Sequence, residues 1–348
     1  MVANPLLSTS YSKAVPQYHA TIDLPLDFLT LRGLRIASAR SAAEAAQYRL
    51  AFERASIRLD VDTSYTIAAA RRARAALSLR NATDAESLLT VAGVRRSAGD
   101  ASDLDVDVAR ISAGRARNIA ASDSESAVTA ILELQQALGL PVTSLAISVA
   151  DTLALPRYDS LSPMDSARAG GAAAPLPVAA AERDLKAAEQ TLALQRRSIW
   201  SGLALMGGIE NHDPGGTETG ILPTFGVSIP LPLFNQGQGS IAVAQAERDR
   251  ARVELATARR ESAALVVRAR RDLEVATKRV ERDRQLVETA NRVARLSLQA
   301  YVEGAYPLTT VLEAQRNARD TLSELIDDLV AANTAAAALR LYTGTTSP

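Results

Sequence analysis

No cysteine occurs in the 348 residues, which removes disulfides, thiolate metal sites and cysteine nucleophiles from consideration. Aromatic residues make up only 4%, and His19 and His212 are the only histidines. They fall in a strand-like segment and an adjoining loop with no ligand cluster nearby, so neither a metal site nor a cofactor is expected. Lysine plus arginine equals aspartate plus glutamate at 39 each. With no basic excess and no basic stripe interleaved with aromatics, nucleic acid is not expected as a partner. No run of about 18 apolar residues is present, so any passage through a membrane has to be made by β-strands. The opening Met1-Val2-Ala3-Asn4-Pro5 lacks the basic and apolar regions of an export signal. No glycine-rich phosphate loop, paired-carboxylate site or serine triad stands out, and the chain is read as not an enzyme.

What is there is alanine, at high density, with charges of both signs interleaved over stretches such as 246–284. That is the texture of long helices in lateral contact. From Ser240 to Glu303 no proline occurs, while Val266, Leu273, Val280, Val287, Ala294 and Tyr301 recur every seven residues. A second seam of small residues, Ala269, Ala276, Ala290 and Ser297, lets backbones approach closely. A helix of this extent would be about 95 Å long. Val61, Ala68, Ala75, Ala82 and Leu89 keep the same small-apolar character earlier in the chain.

The two halves are related by one offset. Leu24-Pro25-Leu26 resembles Ile229-Pro230-Leu231, and placing Pro25 on Pro230 gives a separation of 205 residues. The same separation carries Gly99 onto Gly304 and Gly139 onto Gly344. Three landmarks at one spacing point to an internal duplication. The first repeat is expected over residues 1–139, with a strand hairpin at about 5–27 and a helical hairpin at about 34–139 whose tip is near 99–104. A proline-rich connector comes next, at 140–177. The second repeat spans 178–344, with a helix at 178–198, strands at about 201–212 and 222–233, and a helical hairpin at 240–342 whose tip is near 304–309. By the logic of the repeat, a further helix and an export signal are expected upstream of Met1.

The strand segments alternate. Tyr18, Ala20, Ile22, Leu24 and Leu26 are interleaved with Gln17, His19, Thr21 and Asp23, and Phe225, Val227, Ile229 and Leu231 with Thr224, Gly226 and Ser228. Four strands leave both sheet edges unpaired, a cost of several kcal/mol per orphaned group in lipid. Closure through several copies is therefore expected. A coiled-coil scaffold or adaptor is the main alternative, but it has no use for strands with one apolar and one polar face at the same place in both halves.

Taken together, these residues resemble the TolC family of outer-membrane efflux proteins. The run Ile229-Pro230-Leu231-Pro232-Leu233-Phe234-Asn235-Gln236-Gly237-Gln238-Gly239 is similar to the strand-to-helix junction of the subgroup that serves heavy-metal RND efflux pumps, with Pro25, Pro230 and Pro232 as its marks. The segments from Gly99 to Val106 and from Gly304 to Val311 resemble the family's hairpin tips. The resemblance implies a mainly α fold with a small β part. Long helical hairpins would form a trimeric α-barrel, and four strands per protomer would contribute to a twelve-stranded transmembrane β-barrel.

It further implies an outer membrane location in a Gram-negative bacterium, extending into the periplasm, and passive exit of cargo. The expected partners are two further copies in a homotrimer, outer-membrane lipid, a periplasmic adaptor (membrane fusion protein) and an inner-membrane RND pump. Tyr18, Ile22, Leu24, Phe225, Val227 and Ile229 would face lipid, and Gly99, Ser102, Leu104, Gly304 and Leu308 would meet the adaptor. Asp100, Asp103 and Asp105, crowded at the first tip, are read either as an acidic periplasmic gate or as solvated turn residues. The cargo stays open between metal cations, drugs and, as in type I secretion, polypeptides, with the junction motif favouring a metal-cation pump.

Overall fold

The structure, a computed structural model, describes residues 4–11, 13, 18–26, 31–141, 147–149, 153–156, 174–198, 202–211, 220–229, 231, 234 and 236–343. Its elements in chain order are β1 (Leu6–Tyr11), β2 (Tyr18–Pro25), α1 (Arg32–Ser97), α2 (Asp103–Ala137), α3 (Leu176–Arg197), β3 (Ala204–Asn211), β4 (Ile221–Ser228), α4 (Gln238–Val302) and α5 (Leu308–Thr343). The molecule is mostly helical with one four-stranded antiparallel sheet. Two compact units are present, neither coinciding with a sequence repeat: Met1–Phe52 with Ala174–Ser262 and Thr346–Pro348, and Glu53–Ala173 with Ala263–Thr345.

The first unit carries the sheet, in the order β1-β2-β3-β4. Its register pairs Leu7 with Ile22, Ile22 with Gly207, and Gly207 with Phe225. Cross-strand partners share a face, so one side collects Leu7, Tyr11, Tyr18, Ile22, Leu24, Leu205, Ile209, Phe225 and Val227. The other is mainly polar or small, with Ser8, Ser10, His19, Thr21, Asp23, Gly208, Glu210, Thr224 and Ser228, and also carries Leu6, Met206 and Leu222. β4 stops at Ser228, short of the expected end near 233, where the sequence turns to Ile-Pro-Leu-Pro. Proline has no N–H to donate to a ladder.

Helix α3 in this unit begins behind Pro175, with proline again in its first turn where the backbone donors are spare. It is held to the start of α1 by polar contacts. The Ser38 and Thr191 hydroxyls share a hydrogen bond of 2.9 Å, the Ser41 hydroxyl donates to Gln190 Oε1 at 3.0 Å, and Arg49 pairs with Asp184. Arg259 of α4 reaches Glu182 at 2.8 Å.

In the second unit, the heptad positions face inward as their spacing requires. Leu273, Val280 and Tyr301 are buried along α4, as are Ala269, Ala276 and Ser297, and Ala68 and Ala82 are buried along α1. The core is a string of small clusters. Ala68, Ala69, Ala130 and Leu134 pack under Val149, while Ala269 and Leu273 pack on Ala335, Ala336 and Leu339. Alanine-lined seams permit close helix approach, and exposed ion pairs such as Arg117–Glu86 and Lys278–Glu274 lie outside them.

Candidate functional site

The sheet and the two hairpin tips hold the residues that the sequence singles out. Tyr18, Ile22, Leu24, Phe225 and Val227 stand on one sheet face, and Phe225 is 87% exposed. Ile229 continues their alternation but lies one residue beyond β4, outside the ladder. Both outer edges, of β1 and of β4, lack a strand partner among the described residues. On the opposite face His19 Nδ1 lies 3.7 Å from Glu210 Oε2 across the β2–β3 ladder. Pro25 ends β2, paired with Ala204, and Leu26 N–H donates to the Leu203 carbonyl at 2.8 Å. Pro230, Pro232 and His212 lie outside the described residues.

The helical tips repeat one design. Gly99 has φ +87° and Gly304 φ +80°, a region that glycine enters without steric cost. Behind each, the chain closes the helix in the same way. Gly99 N–H donates to Arg96 and Asp100 N–H to Arg95, while Gly304 N–H donates to Tyr301 and Ala305 N–H to Ala300. All four donor and acceptor positions are separated by the offset of 205, and α2 and α5 begin at Asp103 and Leu308, again 205 apart.

Beyond the glycines the two tips diverge. Ser102 caps α2: its hydroxyl accepts from Asp105 N–H at 3.1 Å, and its own N–H donates to Asp105 Oδ2 at 3.0 Å. Asp105 is thus engaged in a capping box. Asp103 pairs with Arg96, and Asp107 with Arg110 at 2.6 Å. Of the acidic group, Asp100 keeps a carboxylate with no partner among the described residues. At the second tip Pro307 occupies the place of Ser102, and its carbonyl accepts from Thr310 N–H at 3.2 Å.

The reading of Leu308 as an adaptor-contact residue is corrected here. Leu308 is 1% exposed, enclosed by Leu88, Ala92, Val106, Ala109, Tyr301 and Val311, whereas Leu104 is 71% exposed. Under the offset of 205, Leu308 answers to Asp103 and Leu104 to Thr309, so the two leucines occupy different helical faces. The core beneath the tips claims one and leaves the other outside.

Two residues that the sequence alone does not assign to the tips tie them together. Arg95 of α1 donates to the Tyr301 carbonyl and lies over the Tyr301 ring at 4.6 Å, and its Nη2 donates to the Asp100 carbonyl at 3.3 Å. Burial pushes the Tyr301 phenol up from its ordinary value. No local motif announces this pair; only the tip fold brings positions 206 residues apart into contact.

Among the described residues no group of three or more His, Cys, Asp or Glu is placed to hold a metal ion. No helix there is long and apolar enough to cross a membrane.

The sheet has one apolar face, and the two long helical hairpins repeat one tip design. Residues 203–345 match the family model of outer membrane efflux proteins. No curated protein matches the sequence significantly. The solved outer membrane protein VceC of Vibrio cholerae is similar at 16% identity, with 98% of this chain and 85% of that chain covered and a TM-score of 0.78. The outer membrane channel CmeC of Campylobacter jejuni is similar at 12% identity, over 98% of this chain and 76% of that one, at 0.77. CusC, described in terms of transmembrane channel formation, is similar at 16% identity, over 99% and 82%, at 0.75. At these identities the likeness shows the fold, which is that of TolC-type outer membrane channels over nearly the whole chain. The matched residues 203–345 hold β3, β4, α4 and α5.

Proposed function

We propose that three copies of this chain close into one duct and that the duct is the passive outer-membrane exit of a tripartite efflux system. The observation that carries the reading is the sheet: four strands with an apolar face, a polar face and two edges unpaired among the described residues, in a chain whose longest helices run to 66 and 65 residues. An apolar face of Tyr18, Ile22, Leu24, Phe225 and Val227 is stable against lipid, and unpaired edges are tolerable there only when a neighbouring copy pairs them. Residues such as His19, Asp23 and Glu210 then line a wet interior. A coiled-coil scaffold gives this sheet no role.

The tips are the docking end in this reading. Gly99 and Gly304 shape two tight turns, Leu104 offers an exposed apolar side chain, and Ser102 fixes the helix start behind it. The partner is a periplasmic adaptor, joined to an inner-membrane RND pump. Asp100 supplies an acidic rim repeated three times, favouring cations, while Asp103 and Asp105 are held by Arg96 and the Ser102 cap. The junction run 229–239 supports a metal-cation pump as the source of cargo.

The absence of cysteine makes a direct test possible. Ser8→Cys on β1 and Ser228→Cys on β4, combined with a bifunctional thiol reagent on the membrane-extracted protein, should yield a species of three linked chains. The same preparation should conduct ions in planar bilayers. Crosslinks limited to two chains, or a trimer that never conducts, would refute the duct.

A further inference from the structure

In the first unit, β2 leads into α1, α3 into β3 and β4 into α4, all at the end of the sheet where Pro25, Ala204 and Ser228 are paired. Beyond that end α1 and α3 run antiparallel, because Ser38 meets Thr191, Ser41 meets Gln190 and Arg49 meets Asp184. That register brings Arg32, the first residue of α1, level with Arg196 and Arg197 in the last turn of α3. All three are exposed, Arg35 is exposed beside them, and Arg32, Arg196 and Arg197 have no ion-pair partner among the described residues. The charge around them is one-sided. Over residues 31–43, 190–198 and 236–246, Arg40 adds a further cation and neither aspartate nor glutamate occurs. The next carboxylate along α1, that of Glu44, is engaged by Arg40 at 3.5 Å and by Arg183 at 3.3 Å. On the sheet side, Asp23 belongs to the polar face, and Asp27, between β2 and α1, lies outside the described residues.

Helix stability does not account for the position of Arg32, since the dipole disfavours a cation in the first turn. What the arginines do border is the apolar sheet face, whose Leu24, Leu205 and Val227 stand at this same end. We propose that Arg32, Arg196 and Arg197 form a docking surface for the phosphate headgroups of anionic phospholipid, in the leaflet where the helices leave the sheet. The inference rests on the reading of the apolar face as lipid-facing. A chain that crosses hydrocarbon by strands meets a layer of headgroups where the strands end. A guanidinium pairs there with phosphate oxygens through two parallel N–H groups. Charge complementarity and continuity with the apolar face thus select the same occupant. The lipid phosphates supply the negative charge that this end of α1 and α3 lacks, and they hold the depth of the sheet by fixing the level at which its helices begin.

Trp200, the one tryptophan of the sequence, follows Arg197 by three residues and supplies a local readout. The full chain is reconstituted in vesicles that mix phosphatidylcholine with phosphatidylglycerol, with one or the other lipid brominated, and quenching of the Trp200 fluorescence gives their relative affinity. Wild type should prefer phosphatidylglycerol by about fivefold or more, the factor that a single basic side chain near a charged surface supplies. Rising salt should shrink that preference. Arg32→Gln, Arg196→Gln and Arg197→Gln combined should bring the two lipids to equal affinity. If the triple variant fails to fold, the salt titration of the wild type still decides. Equal quenching by both lipids in the wild type, or a preference that neither salt nor the substitutions reduce, would overturn the docking surface while leaving the lipid contact of the sheet in place. Quenching by neither lipid would overturn both.

Discussion

Arg95 of α1 lies over the ring of Tyr301 of α4, 4.6 Å from its centre, while donating to the Tyr301 backbone carbonyl. The same guanidinium reaches the Asp100 carbonyl beyond the first tip and passes beside Gly304 of the second. One side chain thus braces both turns. Its loss should be felt at both tips even though it belongs to one helix.

The Tyr301 hydroxyl is buried, and beyond the Arg95 guanidinium beside it no group offers it a hydrogen bond among the described residues. Tyr301→Phe should therefore be neutral or slightly stabilising, because a buried polar atom is removed while the ring stays. Tyr301→Ala should cost about 3–5 kcal/mol, the usual range for emptying an aromatic site. Arg95→Ala should fall between them, at about 1–2 kcal/mol, and should speed amide exchange at residues 98–102 and 303–307. Thermal unfolding and hydrogen exchange check all three. Equal losses for Phe and Ala at position 301 would mean that the hydroxyl has a role.

Leu308 and Leu104 should separate cleanly. Leu308→Ala removes a side chain sealed among Leu88, Val106, Tyr301 and Val311 and should destabilise by about 2–5 kcal/mol. Leu104→Ala, on the surface, should shift stability by less than about 0.5 kcal/mol. If the first tip docks an adaptor, the second substitution should instead weaken the isolated complex, measured by co-purification of adaptor with duct. Unchanged docking would take Leu104 out of that surface.

Gly208 is a packing requirement of the sheet. A Cβ built there would stand 2.5 Å from the Ala20 carbonyl oxygen, 2.7 Å from Thr21 Cγ2 and 2.9 Å from Thr224 Oγ1. Backbone is among these neighbours, so no rotamer change relieves the clash. Gly208→Ala should break the β2–β3 pairing locally and lower the yield of assembled protein on a native gel. Gly207→Ala, with open space around its position, should assemble normally. Equal yields would show that the ladder can shift to make room.

Acid should act on the helices through exposed, paired carboxyls. The hydrogen bond from Arg117 holds Glu86 below its ordinary 4.5, and that from Lys278 does the same for Glu274. Lowered values mean that these pairs contribute above pH 4.5 and are lost as the pH falls through the depressed values. Both pairs are solvent-exposed, so salt should erase the effect. Glu86→Gln should flatten the acid limb of stability only slightly, and not at all in high salt. An effect that persists in high salt would contradict surface pairing.

Much of the fold is visible in the residues because its constraints are local. A glycine at positive φ, a seven-residue recurrence of Val, Leu and Ala, and the alternation through Tyr18, Ala20, Ile22 and Leu24 each answer to backbone geometry within a turn or two. The helix starts and ends accordingly keep the offset of 205 to within a residue. The strands keep it less well: β2 ends at Pro25, but β4 ends at Ser228, before the matching Pro230. Sequence similarity at the junction is therefore not the same as equal strand length. Helix face is what separates the two tip leucines. Leu104 and Leu308 look alike as apolar residues after a glycine, yet they sit at different phases of their helices. The Ser102–Asp105 capping box gives Asp105 a structural contact that its reading as a gate candidate or turn residue did not include.

The matched helix ends impose a rule on how this chain can change length. Leu88, Ala92, Val106 and Ala109 of the first hairpin meet Tyr301, Leu308 and Val311 of the second in one cluster, so the two tips are set level by side chains. Adding a heptad to α1 alone would carry the first tip out of that cluster; adding it to α1 and α2 would carry both ends of one hairpin past the other. Only four concerted insertions, one in each long helix, preserve every contact. Length variation should therefore collect in the connector and the strand loops, leaving the helical hairpins as a gauge that the lineage cannot easily recut.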